Sequence, residues 1–485
     1  MSETPILVGA AQLEQRIDDP ASGREPVELM IDAVQRAAED TGVPGLLDQV
    51  QSVRVIRGIW PYKNPAAHVA QAIGSPGAET TLTPFGGNFV QTVLNQTALE
   101  IQSGARDLVV LTGAECGNTQ AKARRAGVDL NWQALPGTPD RLIGDEVDMR
   151  HQAEKMLRIG QPIQIYPLFE NALRHHRGET IEAHLERISA LWAGFSQVAA
   201  DNPHAWIREA KSAEEIRTIS ERNRPVSFPY PKLMNSNSNV DQGAALILCS
   251  ESRARALGIA EEKWIYPWAG TDAHDHYHVS NRDNLYTSPA IRIAGRRVLE
   301  LAGLTPQDLD LVDVYSCFPV AVQVAAAEIG LDVTRPLTIT GGLTFAGGPL
   351  NNYVMHSVAR AVELLRERRD EKCLITANGG YLTKHAFGVY SASPPAQPFR
   401  HQDVQSEVDA TPRREVALDF RGDATVESYT VMYGADCPNI GHVVCRLPDD
   451  RRAWANCEDR EVLDAMTREE FCGRPVKVAD HRARF

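Results

Sequence analysis

The sequence predicts an α/β protein made of two similarly built halves, each carrying a mostly parallel sheet covered by helices, followed by a small antiparallel β-barrel or sandwich. Three observations predict it. A helix-then-strand pattern recurs at an offset of 261 residues. Strands that are apolar throughout alternate with amphipathic helices, as parallel sheets buried on both faces require. After roughly residue 395 the chain turns to short alternating strands separated by turn residues. At about 150 residues per domain, a length of 485 residues fits about three folding units.

The elements follow in order. Residues 33–43 (AVQRAAEDTGV) have apolar side chains at helical spacing, end on Gly42 as a C′ cap and lead into the β-like VQSVRVI. Residues 294–304 (AGRRVLELAGL) repeat this plan, with Gly303 as the cap, and lead into LDLVDVYS. Downstream, Gly86-Gly87 precede the helix VQTVLNQTALEIQSG and the buried strand DLVVLTGAE, as Gly347-Gly348-Pro349 precede VMHSVARAVELLRER and KCLITANGG. About 120 mostly polar residues separate the strand near 108–114 from VDQGAALILCS. The helical stretch ETIEAHLERISALWAGFSQVA makes them a folded insertion. The segment PPAQPFRHQDVQSEVDATPRR reads as a connector, and EVALDF, TVESYTVMY and GHVVCRL as barrel strands. The expected units are residues 1–250, with an insertion at about 118–235, then 251–395, then 396–485.

Composition narrows the function class. Hydrophobic residues at 43% and charged residues at 23% describe an ordinary buried-core protein. A net charge of −13 has the wrong sign for binding nucleic acid. The N-terminal MSETPILVGAAQLEQRIDD lacks an uninterrupted apolar segment and no apolar run approaches 18 residues, so neither a membrane span nor a secretory leader is expected and the cytoplasm is the expected location. The eight cysteines form no Cys-x-x-Cys pair and read as reduced, mostly buried thiols. His274, His276 and His278 alternate along what reads as a strand, but no carboxylate or cysteine is organised around them, and no metal is expected.

A glycine loop opening a helix, a strand ending Gly-Ala-Glu, a polar insertion, the strand VDQGA, the segment Tyr315-Ser316-Cys317-Phe318, the loop Gly347-Gly348-Pro349 and the strand end Asn378-Gly379-Gly380 occur in the order of the thiolase superfamily. The chain resembles the sterol-carrier-protein-2-type thiolases, and within them the thiolase-like proteins that carry an additional C-terminal domain. The resemblance covers residues 1–395. It implies the thiolase fold: two βαβαβαββ halves stacked as five αβαβα layers, a site between the halves, and the insertion as a lid that helps to bind coenzyme A. The segment after residue 395 resembles an OB-type barrel, expected to act on substrate or between domains and not on nucleic acid. The activity implied is that of the acetyl-CoA acetyltransferases, acyltransferases of lipid metabolism. Acyl-CoA is the substrate, CoA enters as part of it, no covalently bound cofactor is needed, and the protein is a homodimer or a monomer.

The side chains that perform thiolysis are replaced. The nucleophile loop reads Pro84-Phe85-Gly86-Gly87-Asn88, with Gly86 where the family's cysteine stands. Tyr315 takes the place of the His or Asn of an oxyanion hole, Gly348 that of the His in Gly-His-Pro, and Asn378 that of the second cysteine. Cys116 falls past the nucleophile loop and reads as a buried thiol. The backbone amides of Gly86 and Gly380 would still hold a thioester oxygen, since amide donors do not depend on the side chain. The resemblance therefore implies enolate chemistry, such as retro-aldol C–C cleavage, instead of ordinary thiolysis; a non-catalytic acyl-CoA or lipid binder is the alternative. Tyr315, with a pKa lowered by neighbouring donors, is the expected proton-transfer group. Asn378, His385, Tyr353 and His356 are further catalytic candidates, and Cys317 and Gly348 line the pocket. Lys122, Arg124, Arg125, His175, His176, Arg177, Arg222 and Arg224 are candidates for the CoA phosphates.

Overall fold

The computed structural model describes residues 3–434 and 437–485; Met1 and Ser2 of the N-terminal reading lie outside them. The first half runs β1 (Pro5–Glu14), α1 (Pro26–Thr41), β2 (Ser52–Val55), α2 (Pro65–Ala72), β3 (Glu79–Leu82), α3 (Phe89–Gln102) and β4 (Leu108–Cys116). The insertion adds α4 (Gly117–Ala126), β5 (Arg141–Leu142), α5 (Gln152–Met156), α6 (Pro162–His176), α7 (Ile181–Asp201), α8 (Ala213–Arg217), β6 (Pro225–Ser227) and β7 (Tyr230–Pro231), before β8 (Asp241–Ser250) closes the half. The sheet order is β1-β8-β4-β2-β3-β5. Strands β2, β3 and β4 are parallel, while β8 runs antiparallel to β4 and β1.

The second half runs α9 (Glu251–Leu257), β9 (Tyr266–His274), α10 (Pro289–Ala302), β10 (Leu311–Asp313), α11 (Pro319–Ile329), α12 (Gly342–Phe345), α13 (Tyr353–Glu367), β11 (Lys372–Gly379), β12 (Lys384–Ser391) and β13 (Arg400–Asp403). Its sheet order is β10-β11-β12-β9-β13. Helix α1 packs on the outside of the first sheet and α10 on the outside of the second, while α3 and α13 touch both sheets, which gives five αβαβα layers. The repeat is built from the same local devices in both halves. Proline opens α1 and α10, and each ends on a glycine in the left-handed region, Gly42 at φ 75° and Gly303 at φ 70°.

The last unit contains α14 (Gln405–Asp409), β14 (Gly422–Tyr433), β15 (Pro438–Arg446), β16 (Arg452–Cys457), α15 (Arg460–Met466), β17 (Pro475–Ala479) and β18 (Arg482–Arg484). Strand β14 pairs with both β15 and β17, and β16 with β18, so five strands close into a small barrel. Two boundaries are less sharp than the sequence suggests. β13, within the connector after residue 395, runs parallel to β9 as an edge strand of the second sheet. β6 of the insertion pairs with β14, so lid and barrel share hydrogen bonds. No helix among the described residues is long and apolar enough to cross a membrane.

Candidate active site

Two glycine loops meet between the halves. One joins β3 to α3 through Phe85-Gly86-Gly87-Asn88; the other is the turn 380–383 between β11 and β12. They press so closely that a Cβ on Gly87 would stand 2.5 Å from both the Asn378 carbonyl oxygen and the Tyr315 hydroxyl. A Cβ on Gly379 would meet Asn88 Oδ1 at 2.4 Å. Gly380 sits at φ 73°, a conformation glycine takes without strain. Among the described residues, neither the Gly86 nor the Gly380 amide has a hydrogen-bond acceptor.

Around these loops stand groups of two kinds. Tyr315 follows β10, its amide donating to Thr376 Oγ1 at 2.9 Å, and its hydroxyl faces Gly87. Burial drives its pKa well up, with the nearby Cys317 adding to the shift, so the lowered value expected from the sequence is reversed. Lys384, at the start of β12, reaches the other loop. Its Nζ donates to the Phe85 carbonyl at 2.8 Å and lies 4.7 Å from the Phe89 ring centre. It is 2.7 Å from the point where a Gly86 side chain would begin. Burial lowers its pKa to about 8.

Tyr315, Asn378 and His385 line one enclosed cavity of about 10 Å³, closed by Ile291, Ala321, Ala325 and Phe387. Asn378 Nδ2 donates to the Tyr166 hydroxyl at 2.9 Å and reaches Cys317 Sγ at 3.7 Å, while its Oδ1 is buried without a partner. Burial pushes the Cys317 thiol up to about 12, which keeps it protonated. His385 Nε2 stands 3.7 Å from Asp275 Oδ2, beyond hydrogen-bond reach. Although burial opposes it, His385, Arg282 and Ser288 together hold Asp275 below the usual carboxylate range.

Tyr353 and His356 lie elsewhere. The Tyr353 hydroxyl bonds Thr340 Oγ1 at 2.6 Å and donates to the buried Asp313 at 3.1 Å, a carboxylate also held by Thr338, Ser357 and the Ile339 amide. Its ring still packs edge-on to Tyr315, with centroids 5.5 Å apart. His356 pairs with Gln12 at 3.2 Å, and burial lowers its pKa to about 3. A Cβ on Gly348 would run into Ser236 Oγ at 2.5 Å, so a lid residue occupies the space of any side chain there.

Other sequence candidates scatter. Cys116 is fully buried at the end of β4, with its pKa raised by burial. His175 approaches Glu470 at 3.6 Å, His176 stacks on Tyr286 at 3.9 Å, and Lys122 donates to the Ile17 carbonyl. Arg222 and Arg224, with Glu221 and Lys232, line an open groove of about 680 Å³. Of the three alternating histidines, His274 stacks on Tyr277 and His278 bonds Asn281. One cluster among the described residues has metal-ligand types within 4.8 Å of one another, namely His175, Glu470 and Cys472. Arg174 already neutralises that carboxylate at 2.5 Å, and burial holds the thiol protonated, so the donor set suits a cation poorly.

Sequence reasoning passed over several residues. Tyr166 of the lid helix α6 accepts from the Leu382 amide at 2.9 Å and donates to the Gly380 carbonyl at 3.2 Å. Arg282 Nη2 donates to the Tyr381 and Leu382 carbonyls at 2.9 and 2.7 Å. Arg452 of the barrel, fully buried, donates in turn to the Ser280 and Arg282 carbonyls at 2.8 and 2.7 Å and pairs with Glu427. Lys384 carried the one usable signal, as the first member of a Lys-His pair at a strand end just after the paired glycines.

Residues 403–482 match the family model "thiolase-like protein type 1 additional C-terminal domain", and residues 271–335 the model "thiolase C-terminal domain-like". A monomeric SCP2-thiolase-like protein type 1 from Mycobacterium smegmatis is 30% identical, with 99% of this chain and 98% of that one covered at a TM-score of 0.84. The chain belongs to the SCP2-thiolase-like proteins of type 1. This type 1 protein shares the thiolase fold more distantly with an Ltp2-ChsH2 aldolase, at 19% identity over 80% of this chain and 97% of that chain, with a TM-score of 0.61. Among curated proteins, an acetyl-CoA acetyltransferase of Methanocaldococcus jannaschii is 22% identical over 307 residues, 62% of this chain and 70% of that protein.

Proposed function

We propose that this type 1 protein binds acyl-CoA thioesters, stabilises their enolates, and uses them to make or break a C–C bond in an aldol or retro-aldol reaction. The observation that carries the reading is the pair of unpartnered amides, Gly86 and Gly380, on two loops in contact with no cysteine at either. Such donors stabilise an oxyanion as it develops, and contribute most in a water-poor site. Relatives named as acetyl-CoA acetyltransferases supply the substrate class, and the fold is shared with an aldolase.

A phenol with a raised pKa is matched to an alkoxide, so Tyr315 donates its proton as the C–C bond forms and recovers it in the reverse direction. Asn378 and His385 complete the polar wall. Arg222 and Arg224, with Lys232, are the groups proposed for the CoA phosphates, where guanidinium forks suit phosphate geometry. CoA enters as part of the substrate and no other cofactor is invoked. Eight free cysteines suit a reducing compartment, for which we take the cytoplasm, and an acyl-thioester substrate fits lipid metabolism.

The reading is tested with acetyl-CoA and propionyl-CoA in D2O. Enzyme-dependent deuterium uptake at the α-carbon, read by mass spectrometry, is expected; binding of both thioesters with no uptake above buffer would sink it. That second outcome is the one required by a non-catalytic acyl-CoA binder, a reading favoured by the small size of the enclosed cavity and by Met149, whose sulfur lies 2.4 Å from a Cβ built on Gly380.

A further inference from the structure

Lys384 is the one buried lysine among the nine in the chain. Among the described residues no carboxylate pairs with it, although Glu146 contributes a weak field. Its ammonium form is opposed by burial and by the positive end of α3, a 14-residue helix whose first turn lies beside it. The Phe85 carbonyl, the Phe89 ring and the field of Glu146 favour the proton. Structural lysines end in solvent or on a carboxylate; this one ends at a glycine loop.

The space around the amine is specific. Lys384 Nζ and Asn88 Oδ1 both crowd Gly86, standing 2.7 and 2.6 Å from where a Cβ on it would lie, so the two groups converge on the loop only because no side chain is there. Asn88 Oδ1 is buried and has no donor. Such an atom is costly to leave unpaired unless something that arrives later satisfies it. An amine that adds to a ketone creates one new donor, the hydroxyl of the carbinolamine, at the atom next to the nitrogen.

We propose that Lys384 is a nucleophile that captures the ketone carbonyl of a 3-oxoacyl thioester as an imine. The proposal rests on the acyl-CoA reading above, because the loop amides hold the thioester while the amine takes the ketone two carbons away. The Nζ lone pair adds to the ketone carbon, the carbonyl π bond breaks, and one nitrogen proton passes to the oxygen. The resulting hydroxyl donates to Asn88 Oδ1. It then leaves as water with the second nitrogen proton, and the C=N bond forms. Attack on the thioester carbon would instead give a stable amide and end turnover, so a ketone is the substrate that suits a reusable amine.

The test uses the full-length protein with acetoacetyl-CoA and sodium cyanoborohydride, followed by digestion and peptide mass spectrometry. The peptide carrying Lys384 should hold the reduced secondary amine in about hundredfold preference over the surface lysine peptides, as its larger neutral fraction implies. Without the reductant it should stay unmodified, and Lys384→Arg, which keeps the charge, should abolish the adduct. Adducts spread over surface lysines, an unmodified Lys384, or an amide at Lys384 formed without reductant would each overturn the assignment. Deuterium uptake from acetyl-CoA with no trapped adduct removes the imine and leaves the enolate reading standing. An adduct without deuterium uptake supports the amine and removes the enolate.

Discussion

Replacing Lys384 by Met tests the electrostatics of the site without a substrate. Lys384 is 8% exposed, and its pKa falls from an ordinary 10.5 to about 8. At pH 7 that shift corresponds to about 3 kcal/mol of stability forgone to keep the amine there. Methionine fills nearly the same volume without a charge. It leaves the Phe85 carbonyl without its donor, at a cost of about 1 kcal/mol, so the variant should be more stable by about 2 kcal/mol. In a unit of this size that is about 5 °C in Tm. The folded amine loses its proton near pH 8 and the unfolded one near the usual lysine value. Between the two the unfolded chain binds more protons, so wild-type stability rises with pH, by about 2 kcal/mol from pH 7 to pH 9.5. Methionine has no such slope. Paired thermal melts should therefore show the gap closing to about 1 °C at pH 9.5. A gap independent of pH, or a variant less stable than wild type at pH 7, would refute the claim that Lys384 sits in a site hostile to its charge.

The other expectations concern the loops and their supports. Tyr315→Phe should slow α-carbon deuterium exchange by about ten- to a hundredfold, whereas Tyr353→Phe, which breaks one bond to Asp313, should cost about 1 kcal/mol in stability and leave exchange within about twofold. Gly87→Ala drives a methyl into the Asn378 carbonyl and the Tyr315 hydroxyl, both 2.5 Å away; melting should drop by several degrees and exchange should vanish, and an active, stable variant would show that the loops are looser than described. Arg452→Met leaves Glu427 with Arg446 as its remaining partner and deprives the carbonyls of the loop 279–282 of their donor, so it should cost about 1–3 kcal/mol; hydrogen exchange should rise at residues 380–384 as well as in the barrel, and a rise confined to the barrel would mean the two are uncoupled.

The duplication was legible because both halves use the same local punctuation. Gly42 and Gly303 end equivalent helices in the left-handed conformation, and the apolar strands that follow can only be buried. The loops were legible for a similar reason, since paired glycines at the end of a buried strand mark close backbone approach. Which side chains fill them was not. Neighbours in a strand point to opposite faces, so Lys384 and His385 serve different surroundings, the first the α3 loop and the second Asp275. No periodicity says which of the two faces the site. Tyr353 and His356 share a helix just past the Gly-Gly-Pro loop, yet partners from distant segments, Asp313 and Gln12, decide where their polar atoms go.

The role of the C-terminal unit was equally hidden, because it depends on main-chain acceptors that no motif announces. Arg452 is fully buried and spends its donors on Glu427 and on carbonyls of the loop 279–282. A buried guanidinium with this many partners tolerates little displacement of any of them. Arg282, in that same loop, grips the carbonyls of the turn that presents Gly380 and starts β12 at Lys384. The lid joins from the other side, where buried Glu154 accepts from the Ser280 amide and Tyr166 holds the Gly380 carbonyl and the Leu382 amide. The barrel is thus two hydrogen-bonded steps from the amide and the amine proposed to act on substrate. A side-chain-poor site made of backbone donors needs its backbone fixed, and in this chain an added domain and a lid supply that restraint together.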